Sequence, residues 1–517
     1  MARVTRRKFL KRSAAFAGAT FAIGTVARPV LGANNRVNVA IVGVGGRGSG
    51  HLRYYLGMKD VDVTWCVDPD RNRAKRGLEV AVAHYVKDLM RAKGYKEPKV
   101  PKDAPKQEKE RIKAQHAEKM AQFRKEVEPR VKWTQDVRRA LDDKNLDAIS
   151  VASTNHWHTL LTIWAVQAEK DCYVEKPATH NIFEGRICSE LIAKSKQIVQ
   201  TGTQRRSDAR WARMLAITKS GKLGKLLISH GFASKPRGSI GFRKPEPPPE
   251  WLDWNIWLGP APMQPFHRNL VHYNWHWFWD FGNGEIGNQG VHQTDVARWA
   301  IPGSTHPTSV ISVGGRIGYK DQGQTPNVQM AVYDYGETLL VFEVCGLVDG
   351  RTRRVANDFI YEAGKVVDGS KFYPKDGGGK TAPLPNVEVH VFPGGPFGNF
   401  INCVRSRKKE ELNAPFLEGH YSAAICHLGN ISYRLGREVT FDDIREPFKQ
   451  DYANAQWDRL RKHLTENRKL DLKEWKGRIG PLLKFDPETE KFVGAPPQAN
   501  KLLTRDYRAP FVVPSKV

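Results

Sequence analysis

Apolar positions along the chain fall into short β-branched runs separated by longer segments of mixed polarity, the rhythm of strands joined by helices. Residues 36–42 (Arg-Val-Asn-Val-Ala-Ile-Val) form one such run, long enough for a buried strand and too short for a helix. A helical segment over 49–58 follows, and then an apolar strand over 61–67. The order returns downstream: a helix end at 137–141, a strand over 146–152, a loop over 153–158, a helix over 159–169 and a short strand at 172–174. Strand, helix and strand at this spacing predict a parallel sheet with crossover helices. Helices are predicted over 187–196 and 208–220, with a strand at 198–202 between them and a sheet opening at 224–230. Alternating runs near 309–318, 328–335, 338–347, 357–362 and 387–392 supply strands for a broad second sheet, and 397–405 and 419–435 read as helices.

Two stretches break the rhythm. Residues 87–132 carry 15 basic and 8 acidic residues with Pro98, Pro101 and Pro105, which predicts a surface insertion around a polar helix over 114–127. A solvated charged face is its default role, and a docking surface the alternative. Residues 441–517 are charged and proline-punctuated and predict an extension wrapped over the surface. No internal repeat is present.

The N-terminus reads as an address. Thr5-Arg6-Arg7-Lys8-Phe9-Leu10-Lys11 precedes an apolar stretch over 14–26, and Leu31-Gly32-Ala33 offers small residues for cleavage. Basic, then apolar, then small is the order of a twin-arginine export signal, here 1–33. The apolar stretch falls short of the ~20 residues that span a bilayer, so no stable membrane span is expected after processing. The expected location is periplasmic or otherwise exported, with the twin-arginine machinery as partner. That route resembles one carrying proteins already folded, which suits a protein loaded with its cofactor in the cytoplasm. The six cysteines show no paired spacing, so buried free thiols are expected rather than a disulfide framework.

Composition narrows the class. Hydrophobic residues at 40% and charged residues at 26% are globular proportions, which excludes a disordered or multi-span membrane chain. The formal charge of +27 falls to +20 without the seven basic residues of the signal. What remains is spread along the chain without a recognised motif, so nucleic acid is not an expected partner.

The chemistry begins where the first strand ends. Gly43-Val44-Gly45-Gly46-Arg47-Gly48 matches GxGxxG between strand and helix, and Asp68 closes the next strand 20 positions after Gly48. The first glycine allows the tight turn and the second a close approach of backbone to pyrophosphate. The third lets helix and strand pack, which brings the helix N-terminus to the phosphate. Asp68 at a strand end accepts from adenosine ribose hydroxyls, which favours NAD; Arg71 and Arg73 nearby keep NADP open. Gly43, Gly45, Gly46, Arg47, Gly48 and Asp68 are therefore the first cofactor-binding candidates.

Strand, Asn-His loop (Ser153, Asn155, His158), helix and then Glu175-Lys176-Pro177 resemble the Gfo/Idh/MocA family over residues 36–440. The resemblance implies an NAD(P)-dependent oxidoreductase of sugars or cyclitols: α/β, with an N-terminal Rossmann domain followed by an α+β domain with a large open, mainly antiparallel sheet. In this chain the domains would be 34–177 and 178–440, and the open sheet face suggests a homo-oligomer. Ser153, Asn155, His158, Glu175 and Lys176 would complete the cofactor site. Lys176 would be catalytic, its ammonium stabilising alkoxide charge on the reacting hydroxyl. Gly290, His292 and Asp295 match a second family pattern, with Asn288 in place of its first Asp. His292 would be the general base, since imidazole titrates near neutral pH. Asp295, three residues on, is a substrate-binding candidate that would orient the imidazole or pack; Asn288 would bind a sugar hydroxyl, and Glu285 is an alternative carboxylate. Trp275 and His276, in a Trp-rich segment, would wall the sugar site. No zinc-ligand spacing is apparent; His156 with His158 is too sparse for a metal. A small-molecule sugar is the expected substrate and hydride transfer with tightly held NAD the expected reaction. Redox-neutral glycoside cleavage (oxidation, elimination, re-reduction) and cofactor-retaining binding without catalysis are the alternatives.

Replacing Arg6 and Arg7 by Lys should leave the protein in the cytoplasm, unprocessed and still holding cofactor; fractionation and N-terminal sequencing test this, and normal export of the double variant removes the signal reading.

Overall fold

The computed structural model describes residues 36–517. The predicted export signal lies outside the described residues. The first unit is a six-stranded sheet built from β1 (Val37–Val42), β2 (Val61–Val67), β3 (Lys132–Thr134), β4 (Ala148–Val151), β5 (Asp171–Val174) and β6 (Val199–Thr201). Their order is β3-β2-β1-β4-β5-β6, parallel throughout, with the reversal beside β1 that creates a ligand crevice at the strand ends. Four helices matter to the site and its surroundings: α1 (Gly46–Leu56), α2 (Arg71–Ala92), α3 (Lys106–Val127) and α4 (Asn155–Gln167). Because both sheet faces are covered, β1, β4 and β5 are apolar almost without alternation.

Three sequence expectations shift here. Helix α4 starts at Asn155, so Asn155 and His158 sit in its first turns rather than in a loop. The parallel sheet runs past 177 to β6, whose pairing with β5 assigns Thr201 to the first domain. The charged insertion is mainly α3, longer than predicted; it buries only Phe123 and Val127, and Arg124 pairs with Glu79 of α2.

The second unit is an eleven-stranded sheet, mostly antiparallel, with a single parallel pair at its centre. Its strands include β7 (Leu226–Ser234), β8 (Ser309–Gly315), β9 (Val328–Asp334), β10 (Leu339–Cys345) and β11 (Arg354–Tyr361). No strand forms at 387–392. One face packs α5 (Gly290–Trp299) and α6 (Phe416–Arg434) through Phe342, Tyr333 and Val310.

The other face is not open. Period-two alternation turns Val313, Met330, Val332 and Val341 to that side, and the C-terminal extension covers them with Phe441, Trp457 and Leu460. Trp457 is fully buried. β12 (Gly364–Val367) and β13 (Lys371–Pro374) continue the sheet beyond β11, and on the β8 side β14 (Arg437–Thr440) is joined by the extension's β15 (Lys476–Ile479), β16 (Leu483–Asp486) and β17 (Lys491–Val493). The expected surface wrap is thus part of the core, and the sheet face expected for self-association is occupied over β8–β10 by the chain itself. The last residues return beneath the first domain, where Phe511 packs on Trp157 and Trp164 of α4. Among the described residues no helix is long and apolar enough to cross a membrane. All six cysteines are buried free thiols.

Candidate active site

The turn after β1 is shaped by close packing. Gly43 has φ +84°, and a Cβ there would stand 2.6 Å from the Ala152 carbonyl oxygen at the end of β4. At Gly48 a Cβ would fall on the Gly43 carbonyl, so this glycine lets α1 meet the turn and does not itself line the cleft. The turn is tied to β2 by Asp68, whose carboxylate accepts from the Val44 amide at 2.8 Å and the Asp70 amide at 2.9 Å. Burial pushes the Asp68 carboxyl up to about 6, against the pull of those amides and of Arg73.

Between the two sheets lies a cavity of about 590 Å³. From the first domain Gly43, Gly45, Gly46, Arg47, Asp68, Ser153, Asn155, His158, Glu175 and Lys176 line it. From the second domain Trp275, His276, Asn288 and His292 do the same. The cradle fits a dinucleotide: amides at the α1 N-terminus, Arg47 and Arg73 beside them, and a carboxylate at the β2 end. Asn155 Nδ2, buried with no partner among the described residues, is a free donor there.

Glu175 is the hub of the Glu-Lys-Pro turn. It is buried and accepts from Arg47 Nε at 2.6 Å and the Lys176 amide at 3.2 Å, and it meets His51 Nε2 at 3.1 Å. These partners hold its carboxyl well below the usual range although burial alone would raise it. The Lys176–Pro177 bond is cis. His158 sets its two ring nitrogens against the Pro177 and Ser153 carbonyls at 2.7 and 3.0 Å, and as a neutral imidazole it donates to one of them.

Lys176 Nζ donates to the Asn288 carbonyl at 2.8 Å, a direct bond between the domains. Burial lowers its ammonium pKa, opposed by Glu175 and Glu285. His292 shares the cavity, and burial, followed by the Lys176 charge, pushes its pKa well below the ordinary value. The imidazole is therefore neutral near pH 7, and its Nδ1 is buried with no partner among the described residues. Lys176 from the first domain and His292 from the second thus line the same cavity.

Asp295 does not join them. It is fully buried on the far side of α5, where it accepts from Arg206 Nε at 2.9 Å and Ser422 Oγ at 2.7 Å. It neither orients His292 nor lines the cavity. Three positions along a helix put two residues on neighbouring faces, and the buried Arg206 draws Asp295 away. Glu285 is likewise committed, through two 2.9 Å bonds to Arg237. The Asn288 amide donates to Glu285 Oε2 at 3.3 Å, which explains Asn over Asp here: a carboxylate would face another carboxylate.

The Trp-rich segment has a packed part and a cavity-lining part. Trp254, Trp257, Phe266 and Phe281 build their own core, while Tyr273, Trp275 and His276 face the cavity. His276 stacks on Trp275 at 3.6 Å, and burial takes its imidazole down to about 3. Sequence reasoning missed His51, Lys235 and Arg237. His51 lies one turn after Arg47 on α1, a spacing that marks a shared face. Lys235 and Arg237 follow the end of β7, where cavity-lining side chains gather.

A dinucleotide cradle facing a second domain that brings a neutral histidine to a buried lysine is the layout of a two-domain oxidoreductase. Residues 92–203 match the oxidoreductase family's NAD-binding Rossmann fold and 235–464 its C-terminal alpha/beta domain. The chain belongs to the Gfo/Idh/MocA oxidoreductase family. It is 31% identical over 101 residues to scyllo-inositol 2-dehydrogenase (NAD(+)) of Bacillus subtilis, covering 20% of this chain and 30% of that protein. It is 29% identical over 114 residues to myo-inositol 2-dehydrogenase of Thermotoga maritima, covering 22% and 31%. The matches therefore span about a third of these curated relatives. The WlbA dehydrogenase of Chromobacterium violaceum, solved with NADH and UDP-GlcNAcA, shares the fold at a TM-score of 0.52 and 13% identity, over 79% of this chain and 97% of that one.

Asp295→Ala should destabilise the fold by about 3 kcal/mol, since it leaves the buried Arg206 with Glu418 as its one ion-pair partner among the described residues. Denaturant unfolding reads the loss; a sugar KM that rises while stability holds would return Asp295 to the substrate site.

Proposed function

We propose that the protein is an exported oxidoreductase that moves a hydride between tightly held NAD and a hydroxyl-bearing carbon of a sugar or cyclitol. The observation that carries this reading is the pairing of Lys176 and a neutral His292 in one cavity with the dinucleotide cradle. Inositol dehydrogenases among its relatives support the substrate class. The N-terminal sequence supports export. An exported enzyme has no free NAD pool, so retention of the cofactor follows from location.

NAD(H), held by the glycine turn, Arg47 and Asp68, would supply hydride acceptance and return at its nicotinamide ring. The chain's own residues do the rest. Lys176 Nζ, fixed by the Asn288 carbonyl, has two further N–H bonds to give, and it donates to the substrate hydroxyl oxygen and steadies alkoxide charge there. His292 accepts the hydroxyl proton, which its neutral state allows. Asn288, Tyr273 and His276 offer hydrogen bonds to the other hydroxyls, and Trp275 backs the ring. Asp68 meets the adenosine ribose, with carboxylate lone pairs left after its two amide bonds, and an added ribose phosphate would face its charge.

Cofactor released by denaturing purified protein and identified by mass should be NAD; NADP as the main species overturns the role of Asp68.

Lys176→Ala should slow single-turnover hydride transfer about 10²–10³-fold, and His292→Ala about 10²–10⁴-fold, with cofactor still bound in both. The wild-type rate should not fall as pH drops through about 6.5, where an ordinary histidine would protonate. Native rates in both variants remove the site assignment. Phenol released from an aryl glycoside without added NAD would instead favour the oxidation–elimination route.

A further inference from the structure

Away from the cleft, one cluster is used by neither the cofactor cradle nor the proposed reaction. His306 lies in the loop before β8, His420 near the start of α6, and Glu490 in the turn between β16 and β17. Both imidazole Nε2 atoms stand 2.8 Å from Glu490 Oε1. One ligand atom from each of the three residues lies within 4.8 Å of the others. The side chains are 0%, 1% and 9% exposed. Three elements distant in sequence thus aim two nitrogens and an oxygen at one buried point.

Charge argues that something else belongs there. A buried carboxylate needs a compensating cation. Among the described residues the ion-pair partners of Glu490 are these two histidines alone, which compensate it only if protonated. Nearby cations are committed: Arg298 to Glu418, and Arg186 to the Glu488 carbonyl and Glu190. Glu490 Oε2 is buried with no partner among the described residues, as are both Nδ1 atoms. With nothing bonded at Nδ1, either ring is free to present an Nε2 lone pair inward. Glu490 also holds φ +52°, a left-handed conformation that a residue with a Cβ adopts at a cost. Tyr421 closes one side, its ring edge-on to His306 at 4.9 Å.

Two imidazole nitrogens and a carboxylate are a zinc ligand set, with a fourth position for water or the second carboxylate oxygen. We infer that His306, His420 and Glu490 bind a divalent transition-metal ion, zinc by ligand type, which fastens the β16–β17 hairpin to α6 and the sheet. Zinc bonds of about 2.0–2.2 Å place tetrahedral ligand atoms about 3.3 Å apart, so the cluster opens by about half an ångström on binding. The ion would add to the core packing of Leu483, Phe485 and Phe492 in a hairpin whose β16 meets β8 at two residue pairs, Leu483 with Val310 and Lys484 with Ser309. Its turn also touches the first domain through Arg186. The ion is structural, outside the cavity, and independent of the proposed reaction.

The test uses tag-free full-length protein purified without chelator. Elemental analysis should find on the order of one zinc per chain. Chelator should lower the melting temperature, and ZnCl2 should restore it. Glu490→Gln keeps the size and one acceptor oxygen, and His306→Gln spares the carboxylate. Either variant should lose at least about tenfold in zinc affinity by calorimetry of the stripped protein, and its melting temperature should no longer respond to ZnCl2. Wild-type protein that neither carries zinc nor binds added ZnCl2 overturns the inference. So does wild-type zinc stoichiometry and affinity in both variants, which would put the ion elsewhere.

Discussion

One buried carboxylate, Glu175, holds the cleft together. It joins the helix that follows the glycine turn, through Arg47 and His51, to the strand end that presents Lys176. The helix after the glycine turn and the strand end that carries Lys176 therefore share one anion. The carboxylate is stable there because three donors meet it, which turns the desolvation cost of burial into a depressed pKa. Gly202 is part of the arrangement, since a Cβ at that position would stand 2.9 Å from the Glu175 carboxyl carbon. From this anchor Lys176 reaches across to the Asn288 carbonyl and so sets the second domain against the first.

The first sheet was legible because its strands are buried on both faces and read as continuous apolar runs. The glycine turn and the Glu-Lys-Pro triplet were legible because their chemistry is local in sequence. What escaped was non-local. Asp295 looked like a partner of His292 by spacing, and only the buried Arg206, 89 positions earlier, shows where it belongs. The 153–158 stretch reads as loop because Ser, Thr and Asn favour turns, yet packing of Trp157 against Phe511 extends α4 to Asn155. The extension read as surface from its charge, although Trp457 and Phe441 bury a sheet face. Its helix buries Ala453, Trp457 and Leu460 among many charges, and three apolar positions in a charged helix are a weak signal.

That burial changes what the second domain is. An eleven-stranded sheet with one bare face would expose Val313, Met330, Val332 and Val341 to water or to a second copy. The chain covers them itself. The same extension then returns to the first domain and packs Phe511 under the helix that carries Asn155 and His158. One segment thus completes the sheet behind the substrate side and the helix on the cofactor side. Losing it would disturb both halves of the cleft, although none of its residues lines the cavity.

The balance of charge around the reacting centre follows from the same logic. Lys176, Lys235, Arg47 and Arg237 border the cavity, and Glu175 and Glu285 oppose them from buried positions. Glu175 is held low by its donors, while Glu285 is engaged by Arg237 and Asn288 and burial raises its carboxyl. An Asp at 288 would add a third negative group within hydrogen-bond distance of Glu285, and one of the two would have to protonate. Asn avoids that conflict by donating to Glu285, and it leaves its backbone carbonyl to hold the lysine. In the proposed reaction proton transfer then falls to His292, whose pKa is lowered by burial and by the Lys176 charge. Under the proposed reaction, the departure from the family pattern at 288 leaves the base role to His292 and gives the asparagine a positioning role.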